Sequence, residues 1–438
     1  MKEQTSIPKH KIGRAARLAG TGLQVGVNYL KYKAKQSISG DDDKEGFHKD
    51  TAKQTYEVFS QLKGGPLKLA QMLSLDMTLM PSQYVDEFSK AQYSAPPLTY
   101  PLVVSTFSRE LGGRPDQIFD HFEKKAVSGA SIGQVHRAEK AGREYAVKVQ
   151  YPGVADSLRS DLAIIKPIAM RLFELDAKSL DPYIAEVRER LLEETDYRLE
   201  LSRSEMLAER SRHLPNTKFP GYFPEFSSGR ILTMQWVGGE QLDVYAKSGA
   251  EKAEKLKVAQ ALWDFYHHQI HDLRQFHADP HPGNFKVDGG ELWVLDFGCT
   301  KQLDGEFYRM YFALMNPDVL GDEERFRAAL HEIGLLLETD TPQAKDKLTG
   351  VFRESVELLS RPFLTECFDF GDSRYFEEIA EFGERTRTDR ELSQLSASRG
   401  NPNALYLNRT YFGLYNLMGS LGATVTTKLP DFSPRIAA

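Results

Sequence analysis

The sequence predicts an α+β fold of two lobes, with strands gathered in the first and helices filling the second. Three observations lead there. Strand-like stretches concentrate between residues 117 and 150 and again between 222 and 237. Beyond residue 298 the pattern is almost wholly helical. Between these regions, His277-Ala-Asp-Pro-His-Pro-Gly-Asn284 and Leu295-Asp-Phe-Gly298 set three oxygen-bearing side chains, Asp279, Asn284 and Asp296, at fixed spacings.

Each element follows from local pattern. Residues 1–40 hold eight Lys/Arg against Glu3 alone, about +7, and Asp41–Glu45 reads as a solvated linker. Residues 47–92 look helical, with a break near Pro66, and Pro101–Leu111 is a further helix that stops at Gly112-Gly113. Val127–Ala138 and Tyr145–Gln150 read as strands joined around Ala141-Gly142. Charged helices fill 156–212, and Tyr222–Phe226 and Arg230–Val237 are two more expected strands. Gly238-Gly239 suits a flexible hinge, and Lys252–Leu273 a helix leading into the histidine-rich motif. Apolar Leu292–Leu295 reads as a buried strand that delivers Asp296. The resulting division is a basic arm and linker at 1–45, a helical extension at 46–115, a first lobe at 116–238 and a helical second lobe at 239–438.

The chain has 438 residues and a net charge of −6, so about −13 falls outside the basic arm. That balance argues against a general nucleic-acid binder. Two cysteines, Cys299 and Cys367, cannot build a disulfide framework, and Cys299 is expected to be a packing residue. No run of 18 apolar residues exists and the first residues show no apolar leader core, so the expectation is a cytoplasmic protein. The basic arm adds the expectation of peripheral contact with a membrane surface.

The oxygen-bearing triplet has a chemical reading. Phosphoryl transfer needs a carboxylate beside the attacking hydroxyl or water, and hard oxygen ligands for Mg²⁺. Asp279 with Asn284, followed by Asp296, reproduces the order used by protein kinases in their H-R-D-L-x-x-x-N and D-F-G segments. Lys148, in the alternating strand Tyr145–Gln150, can reach nucleotide phosphates. Upstream, Ser128–Val135 keeps only Gly133 and Val135 of a glycine loop. In the helical run 186–205 one carboxylate is expected to pair with Lys148, and Glu194 and Asp196 are expected on different sides of one helix. Asp304 is expected to cap a helix near Glu306, which leaves almost no room for an activation segment and argues against phosphorylation of proteins in trans.

From about residue 55 to about 305 the chain resembles the UbiB/AarF-domain (ABC-one type) atypical kinase-like family, which includes proteins of ubiquinone biosynthesis. Lys68-Leu-Ala-Gln71 resembles its K-x-G-Q motif, Ser128–His136 its alanine-rich loop, Glu194-Thr-Asp196 its E-x-D motif, and His277–Asn284 its catalytic loop. Ala70 stands where the family has glycine, and Ser128-Gly129-Ala130 where it has three alanines. The resemblance implies a protein-kinase-like fold with extra N-terminal helices covering the active cleft. It implies ATP and Mg²⁺ as cofactors, with Lys148 on the phosphates, Glu200 as its helix partner, and Ser128, Gly129, Ala130, Ser131, Gly133 and Val135 around the nucleotide. It makes Asp279 the catalytic residue and Asn284 and Asp296 the metal ligands. Lys68 and Gln71 would form a lid, Lys68 facing Glu194 or Asp196.

The expected function is an atypical kinase or ATPase that supports isoprenoid-quinone or lipid metabolism, with a quinone intermediate or lipid as partner. The alternative is a nucleotide-gated binder of lipid or protein with incidental turnover. A conventional protein kinase is disfavoured by the short segment after Gly298. An aminoglycoside-kinase-like enzyme is disfavoured by the Lys68 and Glu194–Asp196 motifs.

Overall fold

The structure is a computed structural model that describes residues 51–53, 56, 99–129, 132–154, 162, 163, 166, 167, 170, 177–395, 399 and 401–427. The basic arm, the helical extension apart from residues 51–53, 56 and 99–115, the Lys68–Gln71 motif, Ala130 and Ser131 lie outside the described residues. The mixed α+β architecture is the expected one. The chain divides into two compact units, one comprising residues up to 202 together with 221–236, the other 203–220 together with 237–438.

In the first unit, helix α1 (Tyr100–Leu111) starts with Pro101 in its first turn and ends at Gly112, whose φ of 74° lies in the left-handed region. Val103, Thr106 and Phe107 give it one buried face at helical spacing. Strands β1 (His121–Phe122), β2 (Ser128–Gly129), β3 (Gly133–Lys140), β4 (Arg143–Gln150) and, later in the chain, Ile231–Gln235 form an antiparallel sheet. The β3–β4 turn places Ala141 and Gly142 at φ 51° and 72°, and the Asp120 carboxylate accepts from Ala141 N–H at 2.7 Å. Alternation along β4 buries Tyr145, Val147 and Val149 in a core with Val103, Phe107, Phe119 and Phe122. Lys148 therefore belongs to the opposite face. Helices α2 (Ala177–Glu194) and α3 (Tyr197–Ser211) follow, and α3 gives residues to both units.

Tyr222–Phe226 departs from expectation. Only Tyr222 bridges to Met234, and Pro224–Phe226 closes a 3-10 turn. Proline cannot donate to a ladder, so pairing stops there.

The second unit holds a mixed sheet in the order β5 (Thr217–Lys218), β10 (Glu291–Val294), β9 (Phe285–Asp288), β7 (Glu240–Gln241); the Ile231–Gln235 strand above is β6. Strand β8 (Gln275–His277) pairs with β11 (Thr300–Gln302), and β12 (Cys367–Asp369) with β13 (Thr424–Thr426). Its helices of nine or more residues are α4 (Lys252–His267), α5 (Gly305–Ala313), α6 (Glu323–Glu332), α7 (Pro342–Ser360), α8 (Ser373–Thr388) and α9 (Pro402–Leu421). They surround a core that includes Trp263, Phe265, Phe312, Phe363, Tyr415 and Met418.

Gly238-Gly239 is not a loose hinge. A Cβ on Gly239, whose φ is 67°, would lie 2.1 Å from the carbonyl oxygen of Val287. Lys286 Nζ donates to the carbonyls of Val237 at 2.9 Å and Gly238 at 3.2 Å. The glycines allow close approach to β9 and the lysine stitches them there.

Candidate active site

In the first unit, β4 is flanked by β3 and β6, with Lys148 opposite Val135 and Leu232. Its ammonium donates to Glu200 Oε1 of α3 at 2.7 Å. The glutamate side chain is 3% exposed and the lysine side chain 12%, so the pair is largely out of water. Tyr197, one turn before Glu200, puts its ring 5.0 Å from the same ammonium. One face of α3 thus offers Lys148 both a carboxylate and a π face.

Glu194 and Asp196 do not share a helix. Glu194 ends α2, and Asp196 precedes α3, where its carboxylate accepts from Arg198 N–H at 3.1 Å. Asp196 acts as a cap, and a capping aspartate favours a helix boundary over continuation. Gln150 Nε2 donates to the Thr195 carbonyl at 3.0 Å and ties this junction to the end of β4. Lys68, the expected partner of the two carboxylates, lies outside the described residues.

The Ser128–Val135 segment is strand-like where described. Ser128 and Gly129 pair back onto Val135 and Gln134. Gly133 is required by packing, since a Cβ there would stand 2.6 Å from Tyr197 Oη and 2.8 Å from the Val149 carbonyl oxygen. Gln134 and His136 are buried and bonded to each other at 2.9 Å. His136 Nδ1 meets the Glu123 carbonyl, so Nδ1 carries the proton and Nε2 accepts from Gln134. Burial holds the His136 imidazole below its ordinary pKa.

In the second unit, α4 runs into a π-helical turn at His268–Leu273, which leads through Arg274 (φ 53°) into β8. Two ladders then bring the catalytic-loop motif and the Asp-Phe-Gly segment side by side. Ala278 N–H donates to the Cys299 carbonyl at 2.8 Å, and Leu295 N–H to the Asn284 carbonyl at 2.9 Å. Ala278, Phe285 and Phe297 are fully buried anchors, while Asp279, Asn284 and Asp296 between them keep partial exposure.

The Asp279 carbonyl accepts from His281 N–H at 2.7 Å and from Asn284 Nδ2 at 2.9 Å. A carbonyl requires the amide's NH₂ end, so Asn284 Oδ1 is the end turned elsewhere as a hard oxygen donor. Asp296 Oδ1 accepts from Gly298 N–H at 2.7 Å. Beneath them Tyr266 is fully buried, and burial together with the Asp279 charge pushes its phenol well above the ordinary range.

Within this unit the structure therefore gathers Asp279, Asn284 and Asp296 on one framework. An amide oxygen and a carboxylate are a donor set suited to a hard dication. After Gly298, β11 and the Asp304 cap, which accepts from Glu306 and Phe307 N–H, lead directly into α5. Cys299 is 7% exposed and packs in the core.

Sequence reasoning missed Tyr197, Lys286 and Gln269, whose side-chain oxygen accepts from His277 N–H at 2.9 Å inside the core. The adjacency of Tyr197 to the Glu194–Asp196 motif was the one available signal.

Comparison with known proteins identifies the family. The ABC1 atypical kinase-like domain family matches residues 90–330. The chain is 31% identical over 307 residues to the protein Activity of bc1 complex kinase 8, chloroplastic, of Arabidopsis thaliana, covering 68% of this chain and 40% of that protein. It is 27% identical over 376 residues to atypical kinase COQ8, mitochondrial, of Saccharomyces cerevisiae, covering 84% and 72%. The chain spans 40%, 66% and 52% of the length of the first three curated relatives. A solved structure titled as the complex of Rv3197 with erythromycin from Mycobacterium tuberculosis superposes with a TM-score of 0.59, covering 89% of this chain and 96% of that one. At 23% identity that likeness speaks to the fold alone.

Proposed function

This chain belongs to the ABC1 atypical kinase-like (UbiB) family, and from that premise we propose that it binds Mg-ATP and transfers or hydrolyses the γ-phosphoryl group in support of isoprenoid-quinone or lipid metabolism. The observation that carries the reading is that Asp279, Asn284 and Asp296 stand on segments tied together by the Ala278–Cys299 and Leu295–Asn284 backbone hydrogen bonds, while Lys148 is paired with Glu200.

Lys148 binds phosphate oxygens, with Glu200 fixing the direction of its ammonium. Asn284 and Asp296 hold Mg²⁺, which when bound neutralises phosphate charge. Asp279 orients the acceptor hydroxyl or water and takes its proton. The Gly298-to-α5 passage supports an acceptor other than a protein, since it provides no long segment along which a peptide would lie. The family resemblance, rather than any residue, supplies the quinone link.

Among the described residues no helix is long and apolar enough to cross a membrane. Peripheral, reversible contact through the basic residues 1–40 is the membrane mode proposed, each basic residue near an anionic leaflet contributing about 1 kcal/mol.

The test is ATP turnover by the purified full chain, with and without anionic vesicles and quinone-precursor mimics. Magnesium-dependent turnover stimulated by the additions is the expected result. Nucleotide binding without turnover under any condition would replace this reading with a nucleotide-gated binding protein.

A further inference from the structure

Gly413 lies on α9, beyond the residues matched by the family, and no motif marks it. A Cβ at this position would fall 2.3 Å from Cγ of Pro280, 3.2 Å from its Cβ and 3.5 Å from its Cδ. Pro280 directly follows Asp279 in the catalytic-loop motif. The proline ring is fused to its own backbone, so it cannot rotate away as a flexible side chain would.

Neither partner can retreat cheaply. On the helix side, Tyr411 and Tyr415 flank Gly413 and are buried. Tyr411 Oη is bonded to His271 Nε2 at 3.2 Å, and Tyr415 Oη donates to the Leu359 carbonyl at 2.8 Å. Tyr415 also packs on Trp263 and Phe370. On the loop side, the Asp279 carbonyl is held by His281 N–H and Asn284 Nδ2.

We propose that Gly413 is a positioning residue: the bare backbone of α9 is the floor on which Pro280 rests, and this contact sets the placement of Asp279 and Asn284. The proposal rests on the phosphoryl-transfer reading for its consequence, though not for its geometry. Restoring ordinary carbon–carbon separation against a methyl at 413 requires a shift of roughly 1 Å. The tyrosine anchors oppose movement of the helix, so the loop absorbs the shift.

The experiment compares the parent full chain with Gly413→Ala, with Gly413→Ala/Pro280→Ala, and with Gly350→Ala. The last makes the same change inside α7, where a Cβ meets nothing within 4 Å. The first readout is hydrogen–deuterium exchange of the peptide covering 277–285, which needs no nucleotide. The second is Mg-ATP turnover, resolved into kcat and KM.

Gly413→Ala is expected to accelerate exchange in that peptide and to lower kcat by about tenfold or more, because a displacement near 1 Å is costly at a reacting centre. KM for Mg-ATP is expected to rise by less than kcat falls, because Lys148 and Asp296 are untouched and only Asn284 of the nucleotide-holding groups moves with the loop. The double variant, lacking the Pro280 Cγ, recovers part of the exchange protection, and Gly350→Ala matches the parent. Unchanged exchange at 277–285 in Gly413→Ala overturns the proposal, as does a double variant no more protected than the single one. A parent without turnover refutes the phosphoryl-transfer reading and leaves the exchange result to decide this one.

Discussion

Lys148 of β4 and Glu200 of α3 meet at 2.7 Å, and the carboxylate is all but excluded from water. A buried charge that loses its partner is the costly case. Glu200→Gln keeps a hydrogen-bond acceptor for Lys148 but removes the compensating charge. The expected loss is about 3 kcal/mol of unfolding free energy, the low end for a buried pair because Lys148 retains some water contact. Equilibrium denaturation of the two proteins measures it. Parent-like stability in the variant would show that the pair is not electrostatically important.

Gly133 faces the hydroxyl of Tyr197 and the carbonyl of Val149 at distances no Cβ tolerates. Gly133→Ala should therefore destabilise the protein by about 1–3 kcal/mol through overpacking. Tyr197→Phe in the same chain removes one of the two clashing atoms and should return part of that loss. Thermal unfolding of the single and double variants reads the interaction. Additive effects would mean that the contact is not shared.

The sequence revealed what depends on short-range pattern. Tyr145–Gln150 alternates, Asp304 precedes a helix-forming run, and Gly112 stops one, so these were legible from composition and period. Motif order brought out Asp279, Asn284 and Asp296 as the candidate set, because their spacing is itself the signal. Three readings failed where a local rule met a competing one. Pro224 closed a turn inside an apparent strand. Asp196 preferred to cap α3, which split the helix expected to carry Glu194. Gly239 serves a close approach to Val287 and not free rotation. The Gly413–Pro280 contact left no trace in the sequence, because it joins a helix and a loop far apart along the chain.

Asp340 and Arg399 form a bidentate pair, with both contacts at 2.6 Å and side chains 5% and 10% exposed. The Arg399 guanidinium, with Leu337 N–H also donating to the carboxylate, pulls the Asp340 pKa from 3.8 to about 2. The folded-state value lies below the unfolded one, so ionised Asp340 stabilises the fold above pH 3.8 and that contribution fades as pH falls towards 2. Asp340→Asn should be less stable than the parent at neutral pH, and the difference should shrink across that acid window. Denaturation at a series of pH values tests the sign; a difference that grows on acidification would contradict it.

Asp279 and Asp296 sit on the same framework yet should fail differently when neutralised. Asp296 lies two residues beyond the end of β10, its carboxylate oriented by Gly298 N–H. As the proposed ligand to a hard dication it would contribute in the ground state, so Asp296→Asn should weaken Mg-ATP binding by about tenfold or more. In the proposed mechanism Asp279 acts on the acceptor and its proton, a role that matters only as the reaction proceeds. Asp279→Asn should keep nucleotide affinity within about threefold while turnover falls on the order of a hundredfold or more. Titration calorimetry with Mg-ATP, set beside single-turnover rates, separates the two. If Asp296→Asn binds Mg-ATP as tightly as the parent, the metal is held elsewhere. If Asp279→Asn loses binding and turnover together, Asp279 belongs with the ligands and another group must handle the proton.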